Sequence, residues 1–290
     1  MPRAGNGHIF RTGKQKTNSH NCAAERLWQQ GSGSMPAAHE KRTIDVRGYQ
    51  VLVGIGGNGP PLLYLHGFGD HDSWLELHER LARSFTVYVP RHPGFAGTPL
   101  PDWFQTAEDL AFHYVDLLSE IGVEHPIVVG SSLGGWIATE LAIIRPALPR
   151  RLILVGALGL QPKNPPPDIF IMEPDEDLPF LFAAPRDAPA ASGDAAEAFV
   201  GRWENLIPVA RLMWQRPYDA KLPHRLHHVT APTLVIWGGK DRFLPPSHGE
   251  MLAAKIAGAR HKQIDGAGHL VALEQPSRLA EAVIAFAAEA

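Results

Sequence analysis

The chain has 290 residues, of which 44% are apolar and 20% are charged, so it can bury one large core or two modest ones. Its formal net charge is -3 with both signs intermixed, which argues against a nucleic-acid partner and favours a small, neutral or apolar molecule. The single cysteine, Cys22, excludes an internal disulfide and any cysteine-rich metal cluster.

The N-terminal segment differs in character from the rest of the chain. It is basic, contains the glycine- and serine-rich stretch GSGS, and has no apolar segment of the kind found in secretory signals. We therefore predict a flexible tail or linker over residues 1–38 and a cytoplasmic location. No apolar run reaches the roughly 18 residues that a transmembrane helix needs, so we expect no integral membrane segment. The sequence leaves the oligomeric state open.

From residue 41 onward, short apolar or β-branched runs alternate with longer helical patterns. An antiparallel pair is predicted over TIDVRGYQVLVGIGG, and the strands expected after it are PLLYLHG, FTVYVP, PIVVG, RLILVG, TLVIWG and HKQID. Helices are expected near residues 73–82, 105–121, 133–145, 247–257 and 277–289. This alternation predicts an α/β fold, in which helices cover both faces of a mostly parallel central sheet.

One interval breaks the alternation, because some seventy residues separate RLILVG from TLVIWG. Its first part is rich in proline, which disfavours a regular strand or a long helix there. Its second part has apolar residues at loosely helical spacing, namely Phe199, Trp203, Leu206, Ile207, Leu212, Met213 and Trp214. We predict a mainly helical cap over 159–228, inserted in a core made of 39–158 and 229–290. Three of its residues are candidates to line a substrate pocket: Trp203, Met213 and Trp214.

A serine pattern stands at the end of the strand PIVVG. Residues 130–134 read GSSLG, a G-x-S-x-G pattern between that strand and an apolar helical segment. A serine on such a tight strand-to-helix turn has an exposed hydroxyl, and small residues two positions before and after it let strand and helix approach. The pattern predicts that Ser132 is a nucleophile.

A serine hydroxyl is a weak nucleophile at neutral pH, so it needs a histidine base and a carboxylate that orients the histidine. His269 lies in a glycine-rich loop that follows the strand HKQID, and Asp241 follows the strand TLVIWG. Asp265 competes for the role of the acid, but it lies on the approach to the histidine loop. Asp241 is therefore the favoured partner.

The oxyanion that forms in acyl transfer needs two backbone N–H donors. One comes from Leu133, directly after the nucleophile, and the loop HGFGD points to Phe68 as the other. His71, Asp72 and His92 are possible metal ligands by residue type, but their spacing matches no helical metal motif. We expect neither a metal nor a cofactor.

Five segments together resemble the α/β-hydrolase superfamily: LHGFGD, VPRHPGFAGT, GSSLGG, WGGKDRFLP and GAGHLVALEQP. The resemblance covers roughly residues 41–160 and 229–290. It implies a triad of Ser132, Asp241 and His269, which transfers an acyl group to water without a cofactor.

The resemblance leaves several activities open. Haloalkane dehalogenases and epoxide hydrolases of this fold have an aspartate at the nucleophile position, which Ser132 argues against. A carboxylesterase that acts on small esters is the leading interpretation. The alternatives are a C–C hydrolase of vinylogous diketones, which GKDRFLP resembles, and a ligand receptor that retains the triad with little turnover. C–C hydrolases usually have Asn before the nucleophile, where this chain has Ser131.

Overall fold

The computed structural model describes residues 39–68, 70, 74–172, 176, 178–184, 195–213 and 217–289. The predicted tail over residues 1–38 and the candidate pocket residue Trp214 lie outside these ranges. All described residues belong to one compact unit, Gly33–Ala290. The division into a core and an inserted cap stays a prediction.

Eight strands form one sheet in the order β1-β2-β4-β3-β5-β6-β7-β8. The first two are antiparallel to each other, β2 is antiparallel to β4, and every other pairing is parallel. Their bounds are β1 His39–Val46, β2 Tyr49–Gly56, β3 Pro61–Leu65, β4 Thr86–Pro90, β5 Ile127–Ser131, β6 Arg151–Val155, β7 Thr233–Gly238 and β8 Arg260–Ile264. Each strand matches one of the segments that the sequence predicts as strands.

The five predicted core helices are present, with their ends within a few residues of the prediction. The described helices are α1 Glu76–Leu81, α2 Ala107–Glu120, α3 Leu133–Ile144, α4 Leu178–Leu181, α5 Ala195–Met213, α6 Leu222–Arg225, α7 Pro246–Lys255, α8 Val271–Glu274 and α9 Pro276–Ala287. Two short 3₁₀ turns add Phe95–Gly97 and Leu226–His228. Two apolar clusters contain residues from both the sheet and the helices, in agreement with the α/β prediction.

Strands β5, β6 and β7 are buried along their whole length, which explains why they read as continuous apolar runs. The register places Gly130, near the end of β5, beside Leu65 of β3 and Leu154 of β6. The loops that follow these parallel strands therefore meet at one edge of the sheet. In open α/β sheets this edge is where ligands bind.

The helix α5 lies in the region where helical spacing predicts a cap helix. Leu206, Val209, Leu212 and Met213 are buried, and Asn205 on the same helix accepts a hydrogen bond from the Ala96 amide at 2.8 Å. The apolar pattern is misleading at Ile207, whose side chain is 57% exposed instead of facing the core. Its position on α5 falls outside the buried stripe that the four residues above define.

Candidate active site

Ser132 lies between β5 and α3 with φ 51° and ψ -113°, a backbone conformation that a residue with a side chain rarely adopts. Both flanking glycines are required by close packing. A Cβ atom on Gly134 would overlap the carbonyl of Leu65, and one on Gly130 would overlap the carbonyl of Gly134. The strained turn predicted from G-x-S-x-G is therefore present, with helix and strand in direct backbone contact.

Three side chains that are far apart in the sequence form one hydrogen-bonded row. The Ser132 hydroxyl lies 2.9 Å from His269 Nε2, and His269 Nδ1 lies 2.9 Å from Asp241 Oδ2. A carboxylate can only accept, so Nδ1 carries the imidazole proton and Nε2 is left to accept the serine proton. All three residues are at most 6% exposed, which shields their interactions from water.

The second oxygen of Asp241 fixes the orientation of this carboxylate. Its Oδ1 accepts hydrogen bonds from the amides of Phe243 at 2.9 Å and Leu244 at 2.8 Å. The competing acid, Asp265, is exposed, and its Oδ1 accepts from the side chain of Gln263 at 2.8 Å. The structure therefore pairs His269 with Asp241, as the sequence favours.

The loop that carries His269 is held by residues that sequence reasoning missed. The amide of His269 donates to the carbonyl of Leu181, the last residue of α4, at 2.8 Å. Glu274 accepts from the amides of Gly268 at 2.6 Å and Ala183 at 2.9 Å. Glu274 stands in the quoted motif GAGHLVALEQP, whereas Leu181 lies in a proline-rich stretch without any motif. These contacts connect α4 and the residues that follow it to the histidine loop.

The loop after β3 lies directly against the serine. A Cβ atom on Gly67 would approach the Cβ of Ser132 to 2.9 Å, so only glycine fits there without a shift. The amide of Gly67 donates to the buried carboxylate of Asp70, which also accepts from the Tyr64 hydroxyl. Burial raises the pKa of Tyr64 well above 10, so this phenol stays a donor. Phe68 is half-buried in the same loop, and Leu133 is buried at the start of α3.

A second network, formed near both ends of the predicted cap over 159–228, is tied to the helix α3. Glu140, whose side chain is 2% exposed, accepts from both terminal nitrogens of Arg225 at 2.7 and 2.8 Å. Arg225 also pairs with Asp219, whose amide donates to the carbonyl of Gly159 at 2.8 Å. Sequence patterns gave no signal for this network, because Glu140 and Arg225 are 85 residues apart.

A cavity of about 1290 Å³ lies beside this network, between α5, the start of α2 and α3. Its described lining includes Trp136, Glu140, Ile207 and Arg211 but none of the three residues of the hydrogen-bonded row. Trp203 and Met213, two predicted pocket residues, are also not among the described lining residues. Met213 is 7% exposed and belongs to the apolar core, and Trp203 is 39% exposed. The prediction that they line the pocket therefore has no support in this cavity.

The described part of the chain contains no group of three or more His, Cys, Asp or Glu side chains arranged to hold a metal ion. Within the same ranges, no helix combines the length and hydropathy that crossing a bilayer requires.

Comparison with known proteins agrees with this architecture. Residues 62–282 match the model of the family described as the Alpha/beta hydrolase family. A 2-hydroxymuconate semialdehyde hydrolase of Pseudomonas sp. (strain CF600) is 29% identical over 269 residues, which cover 86% of this chain and 94% of the relative. A monoacylglycerol lipase of Homo sapiens is 26% identical over 260 residues, 80% of this chain and 76% of the relative. The structure of a 2-hydroxy-6-oxo-6-phenylhexa-2,4-dienoate hydrolase from Rhodococcus sp. strain RHA1 superposes with a TM-score of 0.72 at 19% identity, over 87% of this chain and all of that one.

Proposed function

The chain belongs to the α/β-hydrolase family, and we propose that it is a serine hydrolase that cleaves small carboxylic esters through an acyl-enzyme intermediate. The observation that carries this proposal is the hydrogen-bonded row of Ser132, His269 and Asp241, in which each hydrogen bond is 2.9 Å long. Ser132 itself lies on a strained turn. A nucleophile, a base and a group that orients the base are the parts that acyl transfer requires.

The reaction proceeds in two halves. His269 Nε2 takes the Ser132 proton as Oγ attacks the ester carbonyl, and the amides of Phe68 and Leu133 stabilise the tetrahedral oxyanion. The proton on Nε2 then passes to the leaving alcohol, and an acyl group remains on Ser132. Water attacks this acyl group with the same imidazole as its base, which releases the acid and restores the serine. Asp241 holds the imidazole in the required tautomer throughout.

Ester cleavage is favoured over C–C cleavage by the residue before the nucleophile, which is Ser131 where C–C hydrolases usually have Asn. The C–C activity is retained as a second candidate because a relative at 29% identity is a 2-hydroxymuconate semialdehyde hydrolase. Both candidates use the same nucleophile and differ in the bond that is cleaved.

The test measures hydrolysis of p-nitrophenyl acetate and butyrate by the wild type, Ser132→Ala and Ser131→Ala. We expect the wild type and Ser131→Ala to turn over the esters and Ser132→Ala to lose nearly all activity. The Ser131 variant is a matched control, because it removes the adjacent buried hydroxyl. A chromogenic dienone substrate is assayed in parallel. Rapid dienone cleavage with negligible ester hydrolysis would overturn the ester proposal, and saturable binding without any turnover would favour a receptor.

A further inference from the structure

Beneath the loop that carries Phe68, three buried aromatic side chains form a continuous hydrogen-bonded chain. They are His66 after β3, His92 after β4 and Tyr114 on α2, and each is fully buried. The two imidazoles lie against each other with ring centroids 3.6 Å apart. None of the three has a role in the proton transfers described above.

The hydrogen bonds of His66 determine its tautomer. The backbone amide of His92 donates to His66 Nε2 at 3.0 Å, so this nitrogen carries no proton. His66 Nδ1 lies 2.8 Å from the carbonyl oxygen of Gly67, which can only accept. His66 is therefore neutral, and its Nδ1–H holds the carbonyl of the peptide that joins Gly67 to Phe68.

His92 hydrogen-bonds to His66, and Tyr114 in turn hydrogen-bonds to His92. His92 Nε2 lies 2.9 Å from the carbonyl oxygen of His66 and must donate to it. The other ring nitrogen, His92 Nδ1, is then the acceptor for the hydroxyl of Tyr114. Burial raises the pKa of Tyr114 well above 10, so the phenol keeps the proton that it donates. The donor and the acceptor are thereby defined for each hydrogen bond that joins Tyr114, His92, His66 and the Gly67 carbonyl.

Because His66 fixes the Gly67 carbonyl, the orientation of the following amide, that of Phe68, is fixed as well. In a planar trans peptide the C=O and N–H bonds point in opposite directions, and the described chain has no cis peptide. With the Gly67 carbonyl directed at the buried imidazole, the Phe68 N–H is directed away from it. Gly67 itself lies against Ser132. We infer that His66, His92 and Tyr114 are positioning residues, which orient the Phe68 N–H toward the oxyanion.

This inference rests on the proposed function, since it assigns a task to residues around the same serine. A set of variants separates positioning from mere support of the fold. His66→Leu removes the donor, whereas His66→Asn retains an N–H at the same position relative to Cγ. Tyr114→Phe removes the hydroxyl that donates to His92 Nδ1. His113→Leu is the control. This buried residue contacts the Tyr114 ring with centroids 5.4 Å apart, but it takes no part in the hydrogen bonds that join Tyr114, His92 and His66.

Active sites are counted by titration with a fluorophosphonate, so that kcat refers only to folded, reactive enzyme. Losing one oxyanion donor lowers kcat by about 10²–10³-fold, so we expect a loss near the lower end for His66→Leu. We expect a smaller loss, at least about 3-fold, for Tyr114→Phe, with KM changed by less than about 2-fold in both variants. His66→Asn recovers part of the loss, and His113→Leu stays close to wild type.

A trifluoromethyl ketone, which forms a tetrahedral oxyanion adduct on the serine, gives a second readout that does not depend on turnover. We expect its dissociation constant to rise in proportion to the loss of kcat. Unchanged ketone affinity and unchanged kcat per active site in Tyr114→Phe and His66→Leu would overturn the inference. If His66→Leu yields no titratable sites, Tyr114→Phe decides alone. If the wild type hydrolyses no ester, the proposed function fails, and ketone binding to Tyr114→Phe still tests the positioning.

Discussion

Replacing Asp241 with asparagine is expected to impair the proposed reaction more than removing the side chain altogether. The reason lies in the two hydrogen-bonding environments of the carboxylate. Oδ1 accepts from the amides of Phe243 and Leu244, whereas Oδ2 accepts from His269 Nδ1. In Asp241→Asn the amide oxygen must remain at the two backbone donors, so its NH₂ group faces Nδ1. Nδ1 then has to accept, the proton moves to Nε2, and Nε2 can no longer take the serine proton.

The size of the effect follows from the buried hydrogen bonds. Keeping the productive tautomer would leave two N–H groups facing each other at a site where the imidazole is 3% exposed. Each unsatisfied buried donor costs about 1–3 kcal/mol, so the productive tautomer becomes less favourable by about 2–6 kcal/mol. This corresponds to a fall in kcat of about 30-fold to about 3 × 10⁴-fold, and the analogous change in a serine protease triad gives about 10⁴-fold. Asp241→Ala leaves both tautomers of His269 accessible, so we expect it to retain more activity than the asparagine variant.

Initial rates with p-nitrophenyl butyrate, divided by titrated active sites, measure the difference. Asp265→Asn serves as the control, because it makes the same change in the exposed carboxylate that competes in the sequence. We expect this control to remain within about 2-fold of wild type. An asparagine variant that is as active as the alanine variant would refute the tautomer argument. A comparable loss in Asp265→Asn would refute the choice of the acid.

Two further predictions concern stability. Arg225→Met leaves the buried Glu140 carboxylate without its cation. We expect urea unfolding at neutral pH to show that the free energy of unfolding falls by about 2–3 kcal/mol. This is below the usual range for a buried ion pair because Arg225 is 27% exposed. Burial raises the pKa of Glu140, and Arg225 opposes that rise. In the variant Glu140 therefore protonates more readily, and the loss of unfolding free energy shrinks as the pH falls. A loss of unfolding free energy that does not depend on pH would contradict this role of Arg225. Burial also lowers the pKa of several histidines, to about 3 for His78 and about 4 for His113 and His248. Their unfolded forms bind protons first, so the free energy of unfolding should fall by about 1–3 kcal/mol per histidine as the pH drops from about 6.5 to about 4. His78→Phe should flatten this dependence, and an unchanged slope would count against the burial argument.

The sequence by itself determined the strands, the five core helices and the order of the site motifs. These features are local, since a buried parallel strand appears as a continuous apolar run and a strained turn requires glycine at fixed offsets. The three residues of the hydrogen-bonded row could be named because each lies in the turn or loop that follows a recognisable strand. Parallel strands end at the same edge of a sheet, so residues 109 and 28 positions apart could be expected to meet there.

The tertiary structure alone decided how residues 159–228 contact the rest of the molecule. The contact of Leu181 with His269, the pairing of Glu140 with Arg225 and the burial of Met213 all join segments far apart in sequence. Such contacts leave no periodic or motif signal, because any suitably placed donor, acceptor or apolar side chain satisfies them. The same holds for the chain from Tyr114 through His92 to His66, where residue types that are common in buried cores acquire a direction only from the folded backbone.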